Sequence, residues 1–184
     1  MIRAILRLGM IGAIAAFALD RWLSGRSDAS GSNEIVSTVH IAATPDDVWA
    51  IVADIEAQPD WMHDLTSVRI LTRSPVGVGT RALGTVRILG ITVEDPVEIT
   101  AFEPPSRYAI DHQGLFRGTG VIELSPGAHG THVRWTEDLV PPLLPHLGAI
   151  VQRSILGAVF RADLDRLRDL VEARVRSTTP SETA

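Results

Sequence analysis

The chain has 184 residues and a formal net charge of −5 at pH 7, and its 45% hydrophobic and 21% charged residues are typical of a folded protein. The length suits one domain with a full core and a short appendage, and the negative charge provides no basic face for nucleic acid. The absence of cysteine excludes disulfides, thiolate catalysis and zinc–sulfur sites, and because all 17 basic residues are arginine, Schiff-base chemistry and a P-loop lysine are excluded as well.

Residues 1–23 form a hydrophobic segment that differs in composition from the remainder of the chain. Arg3 and Arg7 precede an uncharged run, Leu8 to Leu19, which as a helix spans ~18 Å of a hydrocarbon core ~30 Å thick. A full crossing requires both arginines to extend to the membrane surface. Three interpretations remain open: a membrane anchor that spans or lies on the bilayer, a cleaved signal peptide, and a soluble packing helix or misassigned start.

Residues 24–33 (SGRSDASGSN) are small and polar, which predicts a flexible linker before the folded domain. The arginines before the apolar run favour an N-terminus inside the cell. We therefore expect membrane association through the N-terminus and a domain outside the cytoplasm. Arg21 and Arg26 on the other flank reduce this charge asymmetry, so a secreted or a cytoplasmic protein are the alternatives.

The folded part is expected to begin with a strand and a short helix. The β-branched content of residues 34–42 predicts the strand. Thr44 suits the N-cap of the helix and Pro45 its first position, and the two aspartates that follow favour its positive end. Gln58-Pro59-Asp60 is expected to break this helix, and residues 61–63 to form a second short turn.

Alternating segments separated by turn residues then predict an antiparallel meander. Pro96 within the third segment indicates a bulge or an edge position. Gly84, Gly118 and Gly120 lie inside segments, where glycine either bends the sheet or leaves room on its inner side. The predicted strands are Leu65–Thr72, Thr80–Leu89, Ile91–Phe102, Arg107–Gln113, Arg117–Leu124 and His132–Leu139.

The C-terminal part of the chain predicts one long helix. Residues 146 to about 175 contain no proline, and their apolar residues recur at spacings of three and four. Such a helix is ~45 Å long. Residues 177–184 are expected to be a disordered tail, which leaves 34–176 as the folded domain.

The order of these landmarks carries a family resemblance. Pro45-Asp46-Asp47-Val48-Trp49 is followed by Pro59-Asp60-Trp61, by the strands, by Phe102-Glu103-Pro104-Pro105 and by the long helix. Over roughly residues 34–175 this order resembles the polyketide cyclase/dehydrase-like branch of the START-related (SRPBCC) superfamily. The resemblance implies an α+β helix-grip fold, in which a curved antiparallel sheet wraps the C-terminal helix and leaves a hydrophobic pocket between them.

Two candidate ligand-binding residues lie on the last strand. Val133, Trp135 and Glu137 alternate onto one face, and the apolar pair predicts that this face is the inner one. Trp135 would then line the pocket. Glu137 would place a carboxylate inside the pocket, which is costly unless the carboxylate has a partner or water.

Three further candidates are His112, Trp61 and His63. His112 shares a strand face with Tyr108 and Ile110, and an inward imidazole can act as an acid or a base near neutral pH. Trp61 and His63 lie where the resemblance places the short second helix, close to the cavity entrance. Packing for Trp61 and solvent exposure for either histidine are the structural alternatives.

The sequence contains no spacing of histidines and carboxylates typical of a metal site, and no nucleophile elbow or phosphate-binding loop. We therefore expect no metal, no cofactor and no catalytic set. The leading hypothesis is the binding, with transport or sensing, of a hydrophobic small molecule or lipid at a membrane. One alternative is a cyclase or dehydratase acting on a polyketide-like substrate through His112, Glu137 and His63. Another is a non-catalytic protein-interaction or stress-response module.

Overall fold

The structure, a computed structural model, describes residues 34–178 except 74, 89, 116 and 141–144, and the side chains of 88 and 145–154 lie outside the description. Its elements are β1 (Glu34–Ile41), α1 (Pro45–Val52), a 3-10 helix (Gln58–Asp60), β2 (Leu65–Ile70), β3 (Arg81–Ile88), β4 (Ile91–Glu103), β5 (Arg107–Gln113), β6 (Arg117–Gly127), β7 (Gly130–Val140) and α2 (Pro145–Thr178). The predicted hydrophobic segment and linker, residues 1–33, lie outside the described residues, so both remain predictions.

The seven strands form one sheet in the order β1-β7-β6-β5-β4-β3-β2, and every neighbouring pair is antiparallel. Strands β2 to β7 follow the chain as a meander, as the sequence predicts. The chain crosses from one edge of the sheet to the other between β1 and β2, through α1 and the 3-10 helix. The long helix α2 packs against the inner face, so the predicted helix-grip α+β fold is confirmed.

Helix α1 begins with the predicted cap. The Thr44 hydroxyl accepts a hydrogen bond from the Asp47 N–H at 3.2 Å, and the Asp47 carboxylate accepts one from the Thr44 N–H at 3.3 Å. This reciprocal pair satisfies two backbone donors that the first turn of a helix leaves free. Pro45 occupies the first position, and Val48, Ile51 and Val52 are buried on one side.

The short turn after α1 differs from the prediction. Gln58-Pro59-Asp60, expected to be only a break, is itself a 3-10 helix, and Trp61 ends it instead of starting a turn. Proline fits the first turn of such a helix because no internal partner for its nitrogen is needed there. The buried Gln58 amide also donates to the Val52 carbonyl at 3.1 Å, which ties the turn to the end of α1.

The strand pairing shows which of the predicted roles Pro96 and the strand glycines have. Pro96 pairs with Leu83 of β3 without a register shift, and the pairs between β4 and β5 begin only at Val97. Pro96 therefore lies where β4 is paired on one side, as at an edge, which is where a residue without an N–H is tolerated. The register also runs without a shift through Gly84 and Gly120, so neither glycine is a bulge.

Helix α2 lies along β1 and runs in the same direction. A Cβ placed on Gly157 would lie 3.7 Å from the Ile35 side chain, and the Glu172 carboxylate accepts the Ala42 N–H at 3.0 Å. The helix continues to Thr178, two residues beyond the predicted domain end. The hydroxyls of Ser177 and Thr178 both donate to the Arg174 carbonyl, and these bonds satisfy a free acceptor of the last turn.

The inner face of the sheet has two ends that differ in burial. At the closed end, Leu164, Leu167 and Val171 of α2 are fully buried against the sheet. At the open end, Val97 and Ile110 on the inner face of β4 and β5 are only partly buried. The second half of the helix therefore packs closely on the sheet, and the apolar sheet residues at the open end are less buried.

None of the described helices is both long and apolar enough to cross a membrane. Residues 1–23, to which the predicted membrane association refers, are outside that search, and the association stays a prediction.

Candidate functional site

Three ionisable side chains meet at the open end of the inner face. The Asp95 carboxylate of β4 lies 2.7 Å from Nδ1 of His112 on β5, and Oε2 of Glu137 on β7 lies 3.3 Å from Nε2 of the same ring. His112 therefore lies between two carboxylates, one at each ring nitrogen. We call Asp95, His112 and Glu137 the polar cluster.

The register of the sheet places these residues together. His112 is opposite Val97 of β4, two residues from Asp95, and opposite Gly118 of β6 on its other side. Glu137 of β7 is opposite Gly120, the next inward residue of β6. His112 and Glu137 are thus separated by β6, whose inward residues at this end, Gly118 and Gly120, have no side chains.

Those two glycines open the path between β5 and β7. A Cβ on Gly120 would lie 2.4 Å from Oε1 of Glu137, so any larger residue would occupy the volume of the carboxylate. A Cβ on Gly118 would lie 1.8 Å from the Asp138 carbonyl oxygen, and the backbone there has φ +149°, which favours glycine. Of the two possible roles of a strand glycine, leaving room on the inner side is the one observed.

The neighbouring Trp135 fixes the Glu137 carboxylate in place. Its indole Nε1 donates to Oε1 of Glu137 at 2.7 Å, and both side chains are buried. The Trp135 ring also packs on Phe160 of α2 with 4.5 Å between ring centroids. An aromatic contact between sheet and helix therefore supports the acidic side of the polar cluster.

Burial and charge act on His112 in opposite directions. Burial alone would lower its pKa, because it disfavours the charged imidazolium. The hydrogen bond to Asp95 and the neighbouring Glu137 carboxylate outweigh burial and raise the pKa of His112 from 6.5 to about 10. The imidazole is therefore protonated at neutral pH, and the cluster of two carboxylates and one imidazolium carries one net negative charge.

The polar cluster also contains buried atoms that have no hydrogen-bond partner within the described residues. Although Nε2 of His112 and Oε2 of Glu137 are 3.3 Å apart, the contact has the distance of an ion pair but not the geometry of a hydrogen bond. Oδ1 of Asp95 is likewise buried without a partner among the described residues. Because unpaired buried polar atoms are costly, three of them at one place indicate a site for a further polar group.

The five site residues predicted from the sequence do not all lie at the polar cluster. Trp135, His112 and Glu137 come together at the open end. Trp61 is fully buried, and its ring contacts that of Trp135 edge to face at 5.7 Å, so it supports the site from the core. Its indole Nε1 has no hydrogen-bond partner among the described residues.

His63 does not join the polar cluster. Its side chain is exposed, its N–H donates to the Asp163 carboxylate at 2.8 Å, and its Nδ1 lies 3.1 Å from the Arg166 guanidinium of α2. Helix α2 therefore holds His63 at the surface, through its backbone N–H and through its ring. The set of His63, His112 and Glu137 expected for an enzyme is not assembled.

Asp95 is the site residue that sequence reasoning missed. The signal was present, since Asp95, Val97 and Ile99 alternate on one face of β4 and Ile99 is buried. A Cβ on Gly114 would lie 2.7 Å from Oδ1 of Asp95, so a third glycine accommodates this carboxylate.

Within the described part of the chain, no set of three histidine or acidic residues is arranged to hold a metal ion. In the polar cluster both ring nitrogens of His112 face a carboxylate. A metal ligand needs a free nitrogen lone pair, which a protonated ring does not have.

A separate groove of about 820 Å³ lies on the outer face of the sheet. His40 and His132 contact each other there edge to face at 5.0 Å between ring centroids. Glu123 is opposite both Arg107 and Arg134 in this groove, so its charges are matched within the sheet. The groove and the polar cluster therefore lie on opposite faces of the sheet.

Comparison with known proteins agrees with this architecture. The family model described as "Polyketide cyclase / dehydrase and lipid transport" matches residues 33–172. An uncharacterized protein of Mycobacterium tuberculosis is 30% identical over 154 residues, which cover 79% of this chain and 88% of that relative.

Solved structures show the same fold at lower identity. A START superfamily protein from Mycobacterium smegmatis superposes with a TM-score of 0.62 at 22% identity, over 79% of this chain and 99% of that chain. The Zhui aromatase/cyclase from Streptomyces sp. R1128 superposes with a TM-score of 0.64 at 22% identity, over 78% and 96%. The family match over most of the sequence, together with the sheet wrapped around a long helix, shows that the chain belongs to the polyketide cyclase/dehydrase and lipid transport family, with a START-like fold.

Proposed function

We propose that the domain binds an apolar small molecule or lipid between the open end of the inner face and α2, with the polar end of the ligand at the polar cluster. The observation that carries this proposal is the pair of Oε2 of Glu137 and Oδ1 of Asp95, two buried acceptors without a partner among the described residues, beside partly covered apolar residues. Ligand sites generally combine an apolar wall with a few polar groups that set orientation. The family, whose description includes lipid transport, agrees with such a role.

The apolar wall is formed by inner-face residues of β2, β4 and β5. Val97 and Ile110 of β4 and β5 are partly buried, as are Val68 and Ile70 of β2, although all four side chains are on the inner face. Covering such surface contributes about 25 cal/mol for each Å² removed from water. An apolar ligand at this place would therefore gain most of its affinity from the wall and its orientation from the cluster.

Binding is favoured over catalysis by the state of His112. Proton transfer is most effective when the pKa of the acid or base is near the working pH. The two carboxylates raise the pKa of His112 to about 10, so at neutral pH the ring is a weak acid and has no free lone pair to act as a base.

The experiment that tests the proposal measures binding of Nile red, an uncharged dye whose emission shifts to the blue in apolar sites, to the purified full chain. We expect saturable binding. Val97→Phe should weaken it about tenfold, because the larger side chain would occupy the space that the ligand needs beside the apolar wall. The matched control is Thr119→Phe on the exposed outer face of β6, which should bind as the wild type does. Equal affinity in all three proteins, with melting curves that show them folded, would contradict an inner-face site.

One observation favours a second function, a dehydratase. An acid, His112 Nε2, and a base, Glu137 Oε2, lie 3.3 Å apart. In such a reaction Glu137 would remove a proton from carbon while His112 protonates a neighbouring hydroxyl, which leaves as water. Incubation of the protein with a long-chain β-hydroxyketone would test it: loss of one water, abolished by Glu137→Gln while Nile red still binds, would establish the enzyme.

A further inference from the structure

The charge of the polar cluster restricts which ligands fit, and this inference rests on the proposed function. Asp95 and Glu137 each contribute a carboxylate and His112 contributes one imidazolium, so the cluster carries one net negative charge. If His112 were neutral, the charge would be more negative still. The sign at the polar end of the site is the same in either case.

The surrounding strands do not neutralise this charge. All arginines on the strands are exposed, namely Arg69, Arg81, Arg87, Arg107, Arg117 and Arg134. Among the described side chains of the inner face, His112 is the single cation, and both of its nitrogens already face carboxylates. A ligand carboxylate or phosphate placed here would meet like charge in a poorly solvated environment, which is strongly unfavourable.

The partnerless carboxylate atoms define the complementary chemistry. Glu137 is 4% exposed, and its Oε1 accepts the Trp135 N–H. In the part of the chain that the structure describes, neither its Oε2 nor the buried Oδ1 of Asp95 has a hydrogen-bond partner. Carboxylate oxygens only accept hydrogen bonds, so a group that satisfies them must be a donor.

We infer that the ligand is an uncharged amphiphile whose polar end donates a hydrogen bond to Glu137 or Asp95, as an alcohol or a phenol does, and that fatty-acid carboxylates and other anionic amphiphiles are disfavoured. A hydroxyl can reach a buried carboxylate without the cost of burying a second charge. The polar cluster would thus select by the charge and donor capacity of the polar end, while the apolar wall accepts the chain.

Displacement of Nile red from the full chain at pH 7.5 tests the inference with three probes of similar chain length. These are 1-decanol, which donates and accepts hydrogen bonds, methyl nonyl ether, which only accepts them, and decanoate, which is charged. We expect decanol to compete about tenfold better than the ether, since the ether leaves the buried acceptors unpaired. Decanoate should be the weakest competitor.

Because a carboxylate also enters any apolar site less readily, the decisive comparison is between proteins. Glu137→Gln removes the negative charge while the amide oxygen can still accept from Trp135. We expect it to improve decanoate relative to decanol by about tenfold. Asp95→Asn provides the same test if the first variant is poorly folded, and Glu94→Gln on the exposed outward side of β4 is the matched control that should leave the ratio unchanged.

The outcomes separate this inference from the proposed function. Equal competition by decanol and the ether would overturn the inference, as would a ratio of decanoate to decanol affinity that neither Glu137→Gln nor Asp95→Asn changes. In both cases the binding of Nile red would still support the proposed site. Failure of Nile red and of all three probes to bind the folded protein would instead contradict the proposed function.

Discussion

His112 and Glu137 face each other across β6, with 3.3 Å between Nε2 and Oε2, although their own strands are not neighbours in the sheet. The contact is possible because Gly120 is opposite Glu137 and has no side chain to fill the space between. Four expected outcomes follow from this arrangement and from the packing around it.

Gly120→Ala should displace the Glu137 carboxylate and break its hydrogen bond with Trp135. The added Cβ would lie 2.4 Å from Oε1, and overpacking of a closed site costs about 1–3 kcal/mol of the free energy of unfolding. Urea unfolding measures the change. Gly77→Ala is the control, since no described atom lies within 4 Å of the added Cβ, and it should change stability by less than about 0.5 kcal/mol. Similar values for the two variants would show that the space beside Gly120 is not needed.

The ring of His112 should remain protonated through neutral pH, and its pKa should be lower when Glu137 is neutralised. Glu137→Gln removes one of the two carboxylates that hold the pKa of His112 near 10, so we expect that pKa to fall. Titration of the His112 Cε1–H signal by NMR measures it directly. Glu94→Gln, which removes a charge from an exposed position of the same strand as Asp95, should leave the titration unchanged. An ordinary midpoint in the wild-type protein would contradict the geometry of the cluster.

The raised pKa of His112 predicts how stability depends on pH. A group that holds its proton more tightly when folded contributes stability that is complete below its unfolded pKa of 6.5 and is lost as pH rises through about 10. The free energy of unfolding should therefore decrease by up to about 1 kcal/mol per pH unit between these limits.

Urea titrations from pH 6 to 9.5 test this slope, and His112→Gln should flatten it. Burial raises the pKa of Tyr108 to about 12, so the tyrosine does not contribute within this window. His112→Gln should also cost about 3 kcal/mol at pH 7, because it leaves two buried carboxylates without their cation. Parallel slopes in the two proteins would show that His112 is not the titrating group.

Leu167→Ala should be strongly destabilising because it empties the closed end of the core. Leu167 is fully buried, and truncation of such a leucine costs about 3–5 kcal/mol of the free energy of unfolding. Leu170 on the same helix is 37% exposed, and Leu170→Ala should cost about 1 kcal/mol or less. Equal losses in thermal or urea unfolding would mean that α2 does not pack by the face described.

Much of the fold could be predicted from local patterns. The cap at Thr44 follows from residue types three positions apart, and most strand limits follow from alternation bounded by proline and glycine. The end of β6 does not, because this strand continues through Pro126 to Gly127, beyond the predicted Leu124. The same alternation placed Trp135 and Glu137 on the inner face. Such inferences succeed because the geometry of a strand or a helical turn depends on neighbours in the sequence.

Which residues form the site was harder to predict from the sequence. Asp95 and His112 are 17 residues apart, and their contact depends on the pairing of β4 with β5. His63 was expected near the cavity entrance because of the family resemblance, but α2 holds it at the surface through Asp163 and Arg166. Strand alternation supported the inward position of His112, whereas no local pattern indicated where the His63 side chain lies.

The amino-acid sequence by itself determined the order of strands and helices, which face of each strand is apolar, and the family. The tertiary structure alone decided which polar residues meet, because the register between strands and the absence of a side chain at Gly120 are set by pairing over long distances. A one-residue slip of that register would turn His112 or Glu137 to the opposite face, and the polar cluster would not form.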